Sequence, residues 1–195
     1  MSIKQGREYR ALQDFSLVPR DGENDEYRVR GTAVVFDTPT VLWEYDGVKY
    51  CEVIDRHAFD ECDMSDVIFN YNHGGKVVAR LRNKTLALTI DERGVHIEAD
   101  LSGTQAGREL YEEIDGGYID KMSFSFTISE SAYNSDTHTR TITKVKKLYD
   151  VSAVDIPAYQ DTSISARSFF ELEHSKEIAA LEQAKRKRKL LALTY

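Results

Sequence analysis

Residues 122–128 read Met122-Ser123-Phe124-Ser125-Phe126-Thr127-Ile128, so that large apolar side chains alternate with small hydroxyls. Successive side chains of a β-strand point to opposite faces, and a period of two therefore predicts a strand with one face toward the core. The opposite face carries hydroxyl groups alone. We expect that face to be free to meet a substrate.

Similar short runs precede this stretch, and each is bounded by turn residues such as Asp46-Gly47 and Arg93-Gly94. Many short runs separated by turns are typical of antiparallel strands. We predict strands over residues 27–36, 48–54, 67–71, 85–90 and 95–101.

Two helices are predicted between these strands. Residues 56–62 have room for about two turns, and residues 104–115 carry apolar side chains at a spacing of four. Thr104 offers an N-cap oxygen to the second helix, and Gly116 follows its last turn as a residue that tolerates a left-handed conformation. The prediction is an α+β protein, mainly β, with an antiparallel, β-barrel-like domain.

The pattern changes after Arg167 to a run without Gly or Pro that reaches Thr194. Its scattered apolar residues among Glu, Gln, Ala and Lys predict a partly amphipathic helix. We therefore divide the chain into a domain over residues 1–167 and a C-terminal helical, basic tail over residues 168–195.

Composition limits the classes of function. A chain of 195 residues with 41% apolar and 30% charged residues is typical of one soluble globular domain. No run approaches the ~20 apolar residues of a membrane span, and the first residues do not resemble a secretory signal. We expect a cytoplasmic protein that does not engage a membrane.

The two cysteines, Cys51 and Cys62, form no disulfide framework, and no Cys or His spacing indicates a metal site. We expect no metal and no organic cofactor. Because Cys62 lies eleven residues before His73, a thiol nucleophile is an alternative, and a buried free thiol is the simpler interpretation.

Acyl-transfer chemistry needs an imidazole that takes the proton of a hydroxyl nucleophile, and a third group that holds the imidazole. The chain offers His73 after a predicted strand, Ser123 within one, and Asp150 in the run Leu148-Tyr149-Asp150-Val151-Ser152-Ala153-Val154. Ser125 lies on the face of Ser123 and is the rival nucleophile. His96 is the one credible second histidine.

Alternation predicts that Asp150 shares a strand face with Leu148, Ser152, Val154 and Ile156. A carboxylate among apolar neighbours must find a hydrogen-bonded partner, and an imidazole N–H is one such partner. Asp155 points to the opposite face by parity. We therefore favour Asp150 over Asp155 as the orienting acid.

Several segments form an ordered set over roughly residues 27–167: Gly31 to Asp37, Glu52-Val53-Ile54 with Ala58-Phe59, Asp66-Val67 before Asn72-His73, Glu98 to Leu101, Met122-Ser123-Phe124, and Asp150-Val151-Ser152 leading to Pro157-Ala158-Tyr159. Together these segments resemble the prohead proteases of tailed phages.

The resemblance implies a serine endopeptidase of capsid maturation, distantly similar to herpesvirus proteases. It implies His73 as general base and Ser123 as nucleophile, while the third member is Asp150 or a second His such as His96. Two departures are Gly74-Gly75, where the family often has an acid after the His, and Ser125, where it often has Gly.

The resemblance also implies partners and a location. The substrates would be the scaffolding region of the major capsid protein and the protease itself, inside proheads assembling in the host cytoplasm. We expect a homo-oligomer. A catalytically inactive scaffolding protein with the same fold is the alternative.

The tail is the strongest electrostatic feature of the chain. Lys185-Arg186-Lys187-Arg188-Lys189 hold five of the 26 basic residues, which leaves 21 basic against 33 acidic residues elsewhere and a net charge of -12 there. Such a run can contact phosphates, and a nucleic-acid-binding capsid component is a further alternative. No aromatic residue interleaves it, so we expect no specific nucleic-acid recognition.

Overall fold

The structure is a computed structural model that describes residues 7–16, 18–19, 27–155 and 159–192. It contains eleven strands, two α-helices and one 3₁₀ turn over Leu81–Asn83 in those ranges. The strands are β1 Glu8–Ser16, β2 Val18–Pro19, β3 Arg28–Val35, β4 Thr40–Tyr45, β5 Val48–Ile54, β6 Ile68–Tyr71, β7 Gly74–Arg80, β8 Leu86–Ile90, β9 Gly94–Asp100, β10 Lys121–Asn134 and β11 Thr139–Val154. The helices are α1 Gln105–Asp115 and α2 Tyr159–Ala192.

The strands form two sheets. The larger sheet has the order β1-β10-β11-β5-β4, with β6 and β7 attached through β11, and the smaller has the order β2-β3-β9-β8. Alternating apolar side chains from both sheets and from α1 enter one core, which includes Val34, Ile97, Leu110, Phe124 and Val151. The mainly β, α+β class is confirmed.

The barrel-like description needs correction. Among the described residues, both sheets stay open, because β1 and β4 end the path of the larger sheet and β2 and β8 end the smaller one. The cause lies in β11, which pairs in parallel with β5 near its start and with β6 near its end. One long strand thus branches the larger sheet, and the second sheet covers its apolar face.

Helix α1 follows the predicted pattern, and its C-terminal detail differs. The Thr104 side chain accepts a hydrogen bond from the Gly107 N–H at 2.9 Å and thereby caps the helix. Gly116 has φ -74°, and it is Gly117, with φ +71°, that takes the left-handed conformation. The chain therefore reverses one residue later than predicted.

The predicted helix over residues 56–62 is wrong. The segment is a series of turns in which N–H groups bond to carbonyls three residues earlier, such as Ala58 to Asp55 at 2.9 Å. The Asp55 carboxylate accepts from the His57 N–H at 2.8 Å, and such a local side-chain bond competes with helix formation.

Helix α2 begins at Tyr159, nine residues before the predicted tail. Its early part packs on the larger sheet, where Ala166 and Phe170 are buried against Tyr50. All side chains from residue 178 to residue 191 are exposed. Ile156 and Pro157, which the sequence analysis included, lie outside the described residues. Neither helix, within the described ranges, is long and apolar enough to cross a membrane.

Candidate active site

Three neighbouring strands bring together the side chains predicted to carry the chemistry. β10 supplies Ser123, β11 supplies Asp150, and the turn between β6 and β7 supplies His73. β11 lies between the other two strands, with Ser125 opposite Asp150 on one side and Ile68 opposite Asp150 on the other. His73 and Asp150, which are 77 positions apart in the sequence, therefore lie next to each other in the fold.

The three side chains form a continuous chain of hydrogen bonds. His73 Nδ1 lies 2.5 Å from Asp150 Oδ1, and His73 Nε2 lies 2.6 Å from Ser123 Oγ. Because Nδ1 faces a carboxylate, it carries the ring proton, and Nε2 is left as an acceptor for the Ser123 hydroxyl. The imidazole is oriented to take a proton from that hydroxyl.

A tight turn sets the position of His73. Tyr71 pairs with Gly74 across the β6–β7 hairpin, so the loop has two residues, Asn72 and His73, with φ of +49° and +55°. Two successive positive φ values define a type I′ turn, which favours Asn or Gly because a Cβ is strained there. His73 thus occupies a backbone position that a residue with a β-carbon disfavours.

A bulge in β11 corrects the predicted strand face. Ser125 pairs with Asp150, whereas Phe126 pairs with Leu148, so Tyr149 is an extra residue on β11. Such a bulge reverses the alternation, and Leu148 enters the apolar core while Asp150 joins the hydroxyl face of β10. The prediction that Leu148 and Asp150 share a face is therefore wrong.

The Asp150 carboxylate is buried, with 3% exposure, among polar partners. Ser125 donates to Oδ2, and Ser152 Oγ lies 3.0 Å from Oδ1. Burial raises the pKa of this carboxyl, but the hydrogen bonds from His73, Ser125 and Ser152 outweigh burial, and the pKa is lowered below its ordinary value. Asp150 is therefore charged at neutral pH.

Ser152 and Asn70 also belong to the site, although the sequence alone does not assign them a role. Ser152 Oγ accepts from the His73 backbone N–H at 3.2 Å and contacts the Asn70 side-chain oxygen. Both side chains are buried. The position of Ser152, two residues after Asp150, was the available signal, since strand alternation places the two on one face.

The N-terminal strand also reaches the site, which no pattern in the sequence had indicated. The Arg10 carbonyl accepts from Ser123 Oγ at 2.9 Å, and the Tyr9 ring meets the His73 ring edge-on at 4.8 Å between centroids. Arg7 Nη1 lies 3.9 Å from Asp150 Oδ2. Ser123 is 0% exposed, which contradicts the expectation of an open hydroxyl face.

The alternative residues lie in other surroundings. His96 is on β9 in the smaller sheet, where its ring contacts Thr32 Oγ1 at 3.1 Å and Asp91 Oδ1 at 3.0 Å. Asp155 accepts from the Tyr71 hydroxyl at 2.8 Å. Burial raises the pKa of the Cys62 thiol to about 11, so little nucleophilic thiolate exists there at neutral pH.

A groove lies beside the His73 turn, between β7 and α1. Carboxylates of Glu109 and Glu113 line it together with the Lys76 ammonium, and neither Ser123 nor His73 is among its lining residues.

Within the described parts of the chain, no cluster of His, Cys, Asp or Glu side chains could hold a metal ion.

Comparison with known proteins gives one match. The family model described as caudovirus prohead serine protease matches residues 14–177 of the 195-residue chain, and this range contains His73, Ser123 and Asp150. Neither a curated protein nor a solved structure matches the chain.

Proposed function

The chain belongs to the caudovirus prohead serine proteases, and from this membership we propose that Ser123, His73 and Asp150 are its catalytic triad. The observation that carries the proposal is the continuous hydrogen bonding from Ser123 Oγ through His73 to Asp150. A buried, charged carboxylate that orients a histidine beside a hydroxyl is the arrangement that acyl transfer needs.

The proposed mechanism follows from the assigned protons. Ser123 Oγ attacks the scissile carbonyl while His73 Nε2 takes its proton, and His73 later returns that proton to the leaving amine. Asp150 holds the Nδ1 proton and stabilises the imidazolium that forms. The amine product leaves, and water attacks the acyl-enzyme by the same route.

The nucleophile is Ser123 rather than Ser125. Ser125 donates to Asp150 and so contacts the orienting acid, whereas Ser123 contacts the acceptor nitrogen of the base. A hydroxyl can be activated only by a base that takes its proton. Ser125 acts on the carboxylate instead.

The proposed substrates come from the family. A prohead protease acts inside assembling proheads in the host cell, and we propose that this one cleaves the scaffolding region of the major capsid protein and its own chain. Coexpression of the protease with its capsid protein, followed by intact mass measurement of both, tests this directly. Shortened products at defined peptide bonds support the proposal, and unchanged masses contradict it.

Matched serine variants test the nucleophile in the same coexpression. We expect Ser123→Ala to abolish processing, because loss of one member of a triad lowers turnover about a millionfold. Ser125→Ala should retain measurable processing. Full processing by Ser123→Ala would refute the assignment.

A catalytically inactive assembly protein is the second candidate, and the complete burial of Ser123 favours it. A fluorophosphonate probe distinguishes the two. Labelling at Ser123 that disappears in Ser123→Ala supports the enzyme, and absence of labelling within assembling proheads supports the inactive protein.

A further inference from the structure

The segment over residues 7–10 touches each member of the proposed triad. The Arg7 guanidinium is next to Asp150, the Tyr9 ring packs on His73, and the Arg10 carbonyl accepts from Ser123 Oγ. This coverage explains why the Ser123 hydroxyl is 0% exposed and why only 8% of the His73 side chain is exposed. A peptide substrate cannot reach the hydroxyl while the segment stays there.

The Ser123 hydroxyl has two acceptors and one proton. His73 Nε2 lies 2.6 Å from Oγ, and the Arg10 carbonyl oxygen lies 2.9 Å from it. A hydrogen bond to the carbonyl directs the proton away from the base. The contact therefore competes with the step that activates the nucleophile.

The segment has the form of a bound extended peptide. β1 runs antiparallel to β10, with Arg10 opposite Phe124 and Ala11 opposite Ser123. It thereby presents a main-chain carbonyl to the Ser123 hydroxyl, as a substrate strand must do. Reacting atoms need to approach to about 3–3.5 Å, so the substrate carbonyl and the Arg10 carbonyl require the same space.

β1 can leave without dismantling the sheet. It lies at the edge, and β10 is its one strand partner among the described residues. An exposed strand edge accepts a new strand by main-chain hydrogen bonds, which is a common way of binding extended peptides. Departure of β1 would leave the edge of β10 beside Ser123 open for such a peptide.

Buried ion pairs hold β1 in place. Arg10 Nη2 donates to Glu52 Oε2 on β5 at 2.7 Å, and both side chains are buried. Glu8 contacts Arg10 and accepts from Arg140 Nη1 at 3.3 Å. Burial lowers the pKa of Arg10, but the carboxylates of Glu52 and Glu8 raise it by more. The pKa therefore lies above its ordinary value, and the guanidinium is charged.

We propose that β1 is an autoinhibitory strand, held by the Glu8–Arg10–Glu52–Arg140 cluster, that occupies the site of an extended substrate peptide on the edge of β10. The inference rests on the proposed role of Ser123. The enzyme is inactive while β1 is paired and gains activity when the strand is displaced.

The test compares the rate of fluorophosphonate labelling at Ser123 in full-length chains. Glu8→Arg places a third cation between Arg10 and Arg140 and should release β1. We expect labelling about tenfold faster or more, because a buried charge left without its partner is strongly destabilising. Glu8→Gln, which removes the charge without reversing it, should give an intermediate rate in a less perturbed fold.

Glu44→Arg is the matched control, since it makes the same charge change on β4, the other edge of the larger sheet, at an exposed position. It should label at the wild-type rate. A synthetic peptide with the sequence of residues 7–13 should slow labelling of Glu8→Arg, and a scrambled peptide should not.

The outcomes separate the two proposals. Equal labelling of wild type, Glu8→Gln and Glu8→Arg overturns the autoinhibitory strand and leaves the nucleophile assignment standing. Slower labelling of Glu8→Arg than of wild type makes β1 a constitutive part of the site and also overturns it. Absence of Ser123 labelling in all chains, including those within proheads, overturns the nucleophile and this inference together.

Discussion

Asp150 is where burial and hydrogen bonding oppose each other most directly. Burial alone would raise the pKa of its carboxyl and favour a neutral acid that could not balance an imidazolium. Hydrogen bonds from His73, Ser125 and Ser152 reverse that effect and lower the pKa. Ser125 is therefore a supporting residue for the Asp150 carboxylate.

The first prediction concerns this support. We expect Ser125→Ala to lower the free energy of unfolding by about 2 kcal/mol at pH 7, because a hydrogen bond to a charged group contributes about 1.5–3 kcal/mol. A carboxyl with a lowered pKa stabilises the fold above its unfolded-state pKa, and that contribution is lost as the pH falls through the folded-state pKa. The deficit of Ser125→Ala should thus shrink on acidification.

Urea unfolding between pH 3 and pH 7 measures this dependence. Ser129→Ala is the control, since its exposed hydroxyl lies on the same strand and bonds to the Lys144 carbonyl at 3.3 Å, away from any carboxylate. Its effect should not change with pH. A pH-independent deficit for Ser125→Ala would mean that Ser125 does not act on the charge of Asp150.

A second prediction separates the two candidates for the third member of the proposed triad. We expect Asp150→Asn to slow peptide cleavage by about four orders of magnitude, because the amide favours the wrong histidine tautomer. His96→Ala should leave cleavage unchanged, since its ring lies on the other sheet and contacts Thr32 and Asp91 there. Cleavage rates of the two purified variants decide it, and the reverse result would favour a Ser-His-His arrangement.

Single residues could be nominated from the sequence when a motif surrounded them. The motifs around His73, Ser123 and Asp150 predict these three residues and their order in the chain. Arg7, Tyr9 and Asn70 could not be found, because their contacts depend on the register between strands that are distant in sequence. Alternation within one strand says nothing about the partner across the sheet.

Among the elements, the β6–β7 turn shows how a local conformation positions His73, the proposed base. A type I′ turn reverses the chain in two residues and projects His73 across β11 toward β10. A β-carbon in the left-handed region costs roughly 1–2 kcal/mol. The site therefore includes a residue whose backbone is less stable than that of a glycine in its place.

The third prediction follows from that strain. His73→Gly and His73→Ala both remove the imidazole, but we expect the glycine variant to be more stable by about 1 kcal/mol, because it also relieves the positive φ. Chemical denaturation of both variants measures the difference. Lys76, exposed in β7, is the control position, where alanine should be the more stable of the same pair.

Greater stability of His73→Ala than of His73→Gly would contradict a strained turn. Both variants should also lose processing of the capsid protein, since neither has the proposed base. If the two variants differ in stability and both lose activity, the free-energy cost of the positive φ is separated from the catalytic role of the imidazole.

Local signals explain why some elements were predicted and others were not. Helix α1 carries its own capping residue and apolar spacing, and both were visible in the sequence. The bulge at Tyr149 carries no comparable signal, because a bulge is defined by the pairing of two strands. One extra residue was enough to make the predicted face of Leu148 wrong.

At the scale of the molecule, the arrangement of the sheets depends on β11. Its antiparallel pairing with β10 joins neighbours in sequence and was within reach of prediction. Its parallel pairings with β5 and β6 join residues more than 80 positions apart. These pairings position the site and open the sheet, and no pattern within either segment determines them.

The division between domain and tail is the last feature that an experiment should decide. The predicted boundary at residue 168 remains a prediction, and two contacts favour a later one. The Tyr50 hydroxyl lies 2.8 Å from His174 Nδ1, and the Tyr133 hydroxyl donates to Glu177 at 3.0 Å. Phe170, which precedes His174 and Glu177 on α2, is fully buried.

The final prediction compares two truncated chains. Removal of residues 178–195 deletes only exposed side chains among the described ones, so we expect an unchanged Tm and unchanged hydrolysis of a short peptide. Removal of residues 168–195 also deletes Phe170, and loss of a buried Phe costs about 3–5 kcal/mol. At roughly 2–4 °C per kcal/mol for a chain of this size, the Tm should fall by about 10 °C.

Incorporation into proheads should separate from stability in the same pair. Both truncations remove the basic run Lys185–Lys189, whose charge suits an acidic partner within a closing shell, where local concentration increases weak binding. We therefore expect the chain of residues 1–177 to keep its Tm and its peptidase activity while fewer copies enter each prohead. Normal incorporation would show that the basic run has no role in assembly, and a lowered Tm would show that the exposed end of α2 stabilises the domain.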